Sequence, residues 1–430
     1  MAYKVYFQTL GCKVNAYESA AIGKLLGEEG FEEVFNPEDA DIYIVNTCAV
    51  TAEADRKSRQ MIRKARRICP DAVVVAMGCH TEMSGDESDA DITVGTSDRS
   101  SLVPLLLEKL QMRATEREFP DASEQYFEYG SVLLREETRA VIKIEDGCNN
   151  FCTYCIIPYS RGRVRSRTRD AILQEITDLT KKGYSEFVIT GIHLCSFEKE
   201  QGKDETALGE LLTSVAAIPE VKRIRLGSLE PYSMTEKLIS MLRENTKICP
   251  HFHLSLQSGS DSVLKRMNRK YDTALYRDVV KNLREAFPTA SITTDMICGF
   301  PGETEEEHKD SSAFAEEIGF THIHVFPFSP RKGTKAWDMK PQVDADTKNR
   351  RTAELRKISD EMEEARAKEF IGKTVEVLVE KTEEDGTWEG YCREYIRVRG
   401  KSEKPASAGE IFLARIDGTD GTAVLGTQIS

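Results

Sequence analysis

Gly147-Cys148-Asn149-Asn150-Phe151-Cys152-Thr153-Tyr154-Cys155 sets three cysteines at a CxxxCxxC spacing, with an aromatic residue just ahead of the last. Three thiolates this close in one short loop can each take one iron of a four-iron cluster, leaving the fourth iron open to a small molecule. An electron-carrying ferredoxin normally fills all four positions, so the missing fourth cysteine points to chemistry at the cluster. Zinc is the competing metal, but structural zinc sites usually pair two CxxC-type knuckles, and the sequence has no second knuckle. Packing as three small apolar residues fits poorly, because Gly147, Asn149 and Asn150 make a tight polar loop.

A strand over Ala140 to Glu145 feeds this loop, the way a barrel presents chemistry at the C-terminal ends of its strands. Downstream, Arg161, Arg163, Arg165, Arg167 and Arg169 occupy alternate positions, so an extended chain would turn all five to one side. A solvated charge run is the ordinary reading of such a stretch. Beside a reactive cluster, contact with nucleic-acid phosphates or a cofactor carboxylate is the better one. The next ~160 residues alternate strand signals (Glu186 to Thr190, Arg223 to Leu226, Phe252 to Leu256, Ser291 to Cys298, His322 to Phe326) with helix signals (Ala171 to Lys182, Leu208 to Ala217, Thr235 to Glu244, Ala274 to Ala286, Glu305 to Ile318). Together with the feeding strand this makes six βα units, a partial barrel with an open side for a large substrate. Strand ends rich in small and polar residues form a candidate binding rim: Thr190-Gly191, Gly227 to Glu230, Gln257 to Ser260, and Gly299 to Glu303. Asp295, inside an apolar strand, is a further candidate, because burial without a partner is costly. His253, His322 and His324 are read as satisfied core residues rather than metal ligands.

Upstream, one pattern occurs three times: Lys4 to Leu10 ends at Gly11-Cys12, Asp41 to Asn46 at Thr47-Cys48, and Ala72 to Met77 at Gly78-Cys79. Helical stretches follow the first two, and spacings of 36 and 31 residues fit one βα unit each. In a parallel sheet the three cysteines then share the edge where ligands bind. They form a candidate second three-thiolate site, against the alternative of strand-end cysteines with no ligand. Cys69, before Pro70, breaks the pattern and reads as a packing residue. A helix over Leu102 to Leu110 ends this unit, and an acidic stretch through Glu118, Asp121 and Glu124 reads as a surface connection.

Pro341 opens into a long charged helix, about Ala345 to Phe370, and short β-prone runs at Thr374 to Glu380, Tyr395 to Arg399 and Ile411 to Ile416 then predict a small antiparallel barrel. Arg393, Arg397, Arg399, Lys401 and Lys404 suit an RNA-binding barrel, with a structural cap as the alternative. The 430 residues are 40% hydrophobic and 30% charged, which suits two to four globular domains. A net charge of −13 argues against indiscriminate nucleic-acid binding, so any polyanion must meet a local basic surface. No run approaches a membrane span and the N-terminus lacks a signal-peptide core, which makes the cytoplasm the expected location. Eleven cysteines in such a chain suggest reduced thiols and metal sites, not disulfides.

The Cys148-Cys152-Cys155 loop resembles the signature of the radical S-adenosylmethionine (SAM) superfamily, and the three-part layout resembles its methylthiotransferases over almost the whole chain. Arg161 to Arg167, His253 to Gly259 and Gly299 to Thr304 look most like the branch that methylthiolates N6-threonylcarbamoyladenosine at tRNA position 37. Cys195 and Cys298 depart from familiar patterns. The resemblance implies an α/β chain: an N-terminal open parallel sheet carrying the auxiliary cluster (1–115), a partial (βα)6 radical SAM barrel (134–366) and a C-terminal TRAM β-barrel (370–430). It implies two 4Fe-4S clusters, on Cys148, Cys152 and Cys155 and on Cys12, Cys48 and Cys79. SAM on the first would give a 5′-deoxyadenosyl radical that takes hydrogen from carbon 2 of the adenine, and the second would hold the methylthio group. Tyr154, Thr190, Gly191, Glu230, Gln257, Ser258 and Asp295 are the implied cofactor contacts, and Arg161, Arg163, Arg165, Arg167, Arg397 and Arg399 the expected RNA contacts. The expected partners are the tRNA anticodon loop at adenosine 37 and a reductase such as flavodoxin or ferredoxin. The rivals are the same chemistry on isopentenyladenosine in tRNA or on a ribosomal-protein aspartate, a non-catalytic iron-sulfur RNA-binding protein, and a zinc-binding RNA module.

Overall fold

The apolar strands β1 (Lys4–Thr9), β3 (Ile42–Thr47) and β4 (Val73–Gly78) build a two-sided parallel sheet, completed by the short edge strands β2 (Glu32–Glu33) and β5 (Ile92–Val94) in the order β2-β1-β3-β4-β5. The computed structural model describes residues 2–85, 89–112, 126–133, 138–402 and 406–429. β3 is buried at every position, as a central strand covered on both faces must be. α1 (Lys13–Glu28) packs Tyr17, Ile22 and Leu25 on one face, and α2 (Ala52–Ile68) packs Ile62 and Ala65 on the other. Cys12, Cys48 and Cys79 follow β1, β3 and β4 directly or within three residues, with Cys79 opening α3 (Cys79–Ser84). They therefore share the sheet's C-terminal edge, as the spacing predicts. α4 (Leu102–Lys109) closes this core. Cys69 is buried beneath α2 and its thiol donates to the Pro37 carbonyl at 2.8 Å, a packing role as expected.

The Glu118, Asp121 and Glu124 stretch lies outside the described residues. The segment after it, 126–133, is no simple surface connection: Phe127, Tyr129 and Val132 are buried in the first core. It also reaches the next unit, the Val132 amide donating to Glu175 at 2.8 Å.

In the central unit β6 (Ala140–Lys143) feeds β7 (Glu145–Asp146), which pairs antiparallel with β8 (Arg165–Ser166), and α5 (Ile157–Ser160) lies between them. All other strands are parallel. β9 (Glu186–Thr190) lies between β6 and β10 (Arg223–Leu226), and β11 (Ser228–Leu229) leads the sheet β11-β12-β13-β14 through β12 (His251–Leu254), β13 (Ser291–Cys298) and β14 (His322–Pro327). β10 and β11 are two pieces of one strand broken at Gly227, so the six βα positions read from sequence are the six observed. Outside pack α6 (Arg169–Thr180), α7 (Thr206–Ala216), α8 (Glu236–Glu244), α10 (Thr273–Ala286) and α11 (Glu305–Ile318), with the short α9 (Asp261–Arg266) and α12 (Lys335–Asp338) near the loops. Ile292, Met296 and Cys298 of β13 face this helical layer, so Thr293 and Asp295 face the barrel interior.

α13 (Ala345–Lys368) leads to β15 (Thr374–Thr382), β16 (Thr387–Cys392), β17 (Arg397–Lys401), β18 (Ile411–Asp420) and β19 (Ala423–Gln428), closed in the order β15-β16-β17-β19-β18. The expected all-antiparallel barrel is corrected at one seam, where β17 and β19 run parallel. A closed ring of five strands cannot alternate direction at every pair. The turn between β16 and β17 plugs the N-terminal end of the central barrel: Arg223 donates to the Tyr391 carbonyl at 3.3 Å and Arg225 to the Arg393 carbonyl at 3.1 Å. Glu186 holds both guanidinium groups, at 2.8 and 2.9 Å. The open end of the barrel is thereby left to the strands' C-terminal ends.

The first two units meet across a buried ionic cluster. Lys143 lies 2.7 Å from both Glu18 and Asp146. Arg161 lies 2.8 and 3.1 Å from the same carboxylates, and Arg99 lies 3.0 Å from Glu18. Burial opposes the Glu18 charge, but Arg161, Arg99 and Lys143 together hold its carboxyl down at about 2. The sign follows: the contribution of Glu18 to stability is present above its unfolded value near 4.5 and is lost as pH falls toward 2. Removing one partner of a buried charge set costs about 3–5 kcal/mol. Glu18→Gln is therefore expected to lower the unfolding midpoint in urea and to flatten the acid limb between pH 4.5 and 2; an unchanged midpoint at pH 7 would contradict it.

Candidate active site

The cysteine loop is held from both sides. Gly147 has φ +82°, and a side chain there would run into the Arg163 backbone. The Cys148 amide donates to the Gly162 carbonyl at 3.1 Å, so the two ends of the loop are tied together. From below, Thr153 bonds the Met267 and Arg266 carbonyls at 3.0 and 2.9 Å, and Asn268 donates to the Phe151 carbonyl at 3.1 Å. Burial, together with the neighbouring Cys152, pushes the Cys148 and Cys155 thiols up to about 12. Thiols that oppose one another's ionisation are a set that a cationic metal core satisfies.

Arg269 is a site residue that sequence reasoning missed. Its guanidinium donates to Cys152 Sγ at 3.1 Å and to Glu230 at 2.6 Å, and also reaches the Ser255 carbonyl at 3.2 Å. Burial raises the Glu230 pKa and Arg269 pulls it back only in part. One arginine thus couples the cysteine loop to the rim acid. The arginine follows Asn268 in a left-handed turn, and nothing in its local spacing marks it.

The other rim expectations divide. Thr190 ends β9, and Gly191 leaves space for the Glu145 carboxylate that any Cβ would strike. Gln257, at φ +72°, bonds through its backbone to Asp295 and Ile297 at 2.8 and 2.9 Å. Ser258 is corrected: its hydroxyl lies 3.1 Å from that of Ser311 on α11, turned to the outer layer. Tyr154 packs its ring behind the loop, against Val263, Phe300 and Phe328. The three strand histidines are also corrected. His253, Asp295 and His324 bring ligand-type atoms within 4.8 Å of one another on the barrel interior, with His322 3.2 Å from His324. Alternation on β12 and β14 gives Phe252, Leu254, Ile323 and Val325 to the core, which leaves the histidines to the inner face. Cys195 and Cys298 are buried in the outer core.

The second trio is built at the seam. An ideal Cβ on Gly11, at φ +99°, would lie 2.9 Å from Cys48 Sγ. Burial pushes Cys79 up to about 11, and Cys12 and Cys48 raise it as well, so the three thiols share one neighbourhood. Asn15 organises it by donating to the Leu10 and Thr47 carbonyls at 2.7 and 3.0 Å while accepting from Arg161 at 2.8 Å. Cys79 packs with Ile156, which follows Cys155. The two trios therefore flank one seam.

The arginine run does not form a single face. Arg161 ends α5 instead of lying extended, and is 3% exposed in the ionic cluster. Arg167 is 1% exposed and lies 2.5 Å from Glu175. Arg165 is buried and donates to the Arg163 carbonyl at 3.1 Å. Only Arg163 is exposed, its guanidinium 4.6 Å from the Phe151 ring centre. In the terminal barrel, Arg399 pairs with Glu389 at 2.6 Å and Lys401 with Asp385 at 2.9 Å. Arg393 donates to the Thr246 carbonyl at 2.6 Å, Arg397 is half-buried on β17, and Lys404 lies outside the described residues.

The sequence matches the Radical SAM superfamily over residues 142–315 and Uncharacterized protein family UPF0004 over residues 4–95. It is 40% identical to the threonylcarbamoyladenosine tRNA methylthiotransferase MtaB of Bacillus subtilis (strain 168), over 92% of this chain and 89% of that one. The chain belongs to the radical SAM methylthiotransferases. The enzyme is also 36% identical to MtaB of Aquifex aeolicus (strain VF5), over 87% of this chain and 92% of the relative. A tRNA-2-methylthio-N(6)-dimethylallyladenosine synthase of Thermodesulfovibrio yellowstonii is 34% identical over 99% of both chains. Among solved structures, the radical SAM methyltransferase TsrM from Kitasatospora setae shares the fold, with a TM-score of 0.57 at 15% identity over 78% of this chain and 77% of that one.

Glu145, beneath the loop, is a buried acid held far above its ordinary range. Its carboxylate accepts the His193 amide at 2.6 Å, while among the described residues its other oxygen meets no hydrogen-bond partner. Burial pushes it up to about 8, with the His193 and Ile192 amides only partly offsetting that. A raised carboxyl makes the folded state hold a proton that the unfolded chain has released, so stability falls as pH rises from about 4.5 through about 8. Glu145→Gln keeps an acceptor for both amides and removes the titration. Its thermal midpoint is expected to vary less than that of the wild type between pH 5 and 8.5; parallel profiles would show that Glu145 is charged throughout.

Proposed function

We propose that the enzyme adds a methylthio group to carbon 2 of N6-threonylcarbamoyladenosine at position 37 of tRNA. The observation that carries this reading is the pair of cysteine trios on opposite sides of one seam, joined through the Cys79–Ile156 contact. Cys148, Cys152 and Cys155 would hold one 4Fe-4S cluster with an open iron, and Cys12, Cys48 and Cys79 a second. When bound, these groups supply one-electron reduction of SAM to a 5′-deoxyadenosyl radical and a store for the transferred sulfur. The protein's own part is positioning. Arg269 holds the Cys152 side of the loop and orients Glu230 toward the cofactor's polar end. Gln257 and Asp295 face the same interior, and His253 and His324 offer hydrogen bonds to a nucleoside there. The C-terminal barrel closes the far end of the cavity, so substrate enters from the loop side.

The threonylcarbamoyl branch is supported by the 40% identity to MtaB, against 34% for the dimethylallyl-type relative. The second reading, the same chemistry on isopentenyladenosine, rests on the full-length match to that relative. We take the working domain limits as 1–115, 134–366 and 370–430. No helix of the described residues is long and apolar enough to cross a membrane. A tRNA substrate places the enzyme in the cytoplasm, with a flavodoxin or ferredoxin as electron source.

Two measurements test the proposal together. Anaerobic reconstitution is expected to give about eight irons and eight sulfides per chain, falling to about four when Cys12, Cys48 and Cys79 are all replaced by alanine. That variant should still cleave SAM to 5′-deoxyadenosine yet form no methylthiolated nucleoside by mass spectrometry of tRNA. Four irons in both proteins would remove the second cluster, and loss of the dimethylallyl rather than the threonylcarbamoyl product in a deletion strain would reassign the substrate.

A further inference from the structure

The expected arginine stripe is mostly internal, which leaves the enzyme's polyanion to be met elsewhere. α2 supplies the surface. It carries seven basic and two acidic residues in a chain whose net charge is −13. Arg56, Arg63 and Arg67 recur at helical spacing on the exposed face, flanked by Arg59 and Lys64, and with Gln60 they line a shallow groove of about 540 Å³. Among the described residues Arg56, Lys64 and Arg67 form no ion pair, while Arg59 pairs with Asp55 at 2.6 Å and Arg63 with Asp89 at 3.1 Å.

The placement of the helix gives this charge a direction. Its N-terminal part sits on the second cysteine trio: the Ser58 hydroxyl lies 3.1 Å from the Cys48 amide and 3.2 Å from its carbonyl. The first turn is pinned to the central unit by Ala52, which donates to Ser329 at 2.8 Å, and by Asp55, 3.1 Å from Arg331. Leu10, Gly11, Thr51 and Ala54 line a second hollow of about 290 Å³ beside the trio. From there the 17 residues of α2 extend about 25 Å outward.

We infer that the exposed basic face of α2 is the track on which the phosphate backbone of the RNA substrate lies, leading its reactive base to the seam between the cysteine trios. The inference rests on the RNA reading above and names the surface that reading lacks. Guanidinium groups in a row bind successive phosphates without sequence preference. A membrane is a poor occupant, because the exposed face of α2 presents no apolar side chain larger than alanine.

The test compares the reconstituted full-length enzyme with its Arg56→Glu/Arg63→Glu/Arg67→Glu variant, using fluorescence anisotropy with an anticodon stem-loop RNA carrying N6-threonylcarbamoyladenosine. The variant is expected to bind about tenfold or more weakly near 0.1 M salt, and its log–log salt slope should fall by about two. RNA-independent 5′-deoxyadenosine formation should stay at the wild-type level, since α2 contributes nothing to the SAM loop. The neutral Arg56→Gln/Arg63→Gln/Arg67→Gln variant should lie between the two, which separates lost attraction from misfolding. Variant affinity and slope equal to wild type would overturn the track and leave the stripe to an acidic protein. Wild-type enzyme that neither holds this RNA nor methylthiolates it would instead overturn the RNA reading itself.

Discussion

Glu18, Arg99, Lys143, Asp146 and Arg161 meet in the interior between the N-terminal sheet and the central barrel, and the geometry of the site depends on them. Two carboxylates against three cations leave one positive charge. Burial works against the Arg161 charge, but Cys79, Glu18 and Asp146 together hold it well above its ordinary range. A buried set of this kind adds little net stability over apolar packing, but it is intolerant of partial disassembly. Its effect is to fix one docking of the two units. Through Asn15, the same cluster reaches the backbone at Leu10 and Thr47, the residues that lead into Cys12 and Cys48.

Everything else at the centre follows from that docking. The cysteine loop is clamped by the β7–β8 pair and supported by Arg266 to Arg269, while the second trio approaches from the neighbouring sheet edge. The C-terminal barrel inserts its β16–β17 turn among Arg223, Arg225 and Glu186. The central barrel is sealed at one end and open at the other, and both trios sit at the open end. A large substrate has one direction of approach.

Much of the fold was legible in the sequence. Apolar runs ending in Cys12, Cys48 and Cys79 identified three parallel strands, and all six barrel strands were placed within two residues. The two-residue β2 and the three-residue β5 were not, because so short a run has no period to detect. The arginine run failed for a different reason. Alternation implies one face only if the backbone is extended, and Arg161 instead caps a helical turn while Arg167 meets Glu175 from a helix it precedes. Basic residues of α2 were visible as composition, but their shared exposure was not.

Spacing alone brought the two cysteine sets forward as candidate ligand trios, because separation within a short loop, or between successive strand ends of a parallel sheet, is a local property of the sequence. It also determined the α/β class and the small terminal barrel, since those rest on hydrophobic period and turn residues. Only the tertiary structure decided which charges work inside and which face water. It joined Arg269 to Cys152, turned His253 and His324 toward Asp295, and withdrew Arg161 and Arg167 from the surface. For Arg161 and Arg269 the fate of the charge is settled by partners more than a hundred residues away, Glu18 and Cys152, and no local pattern carries that information.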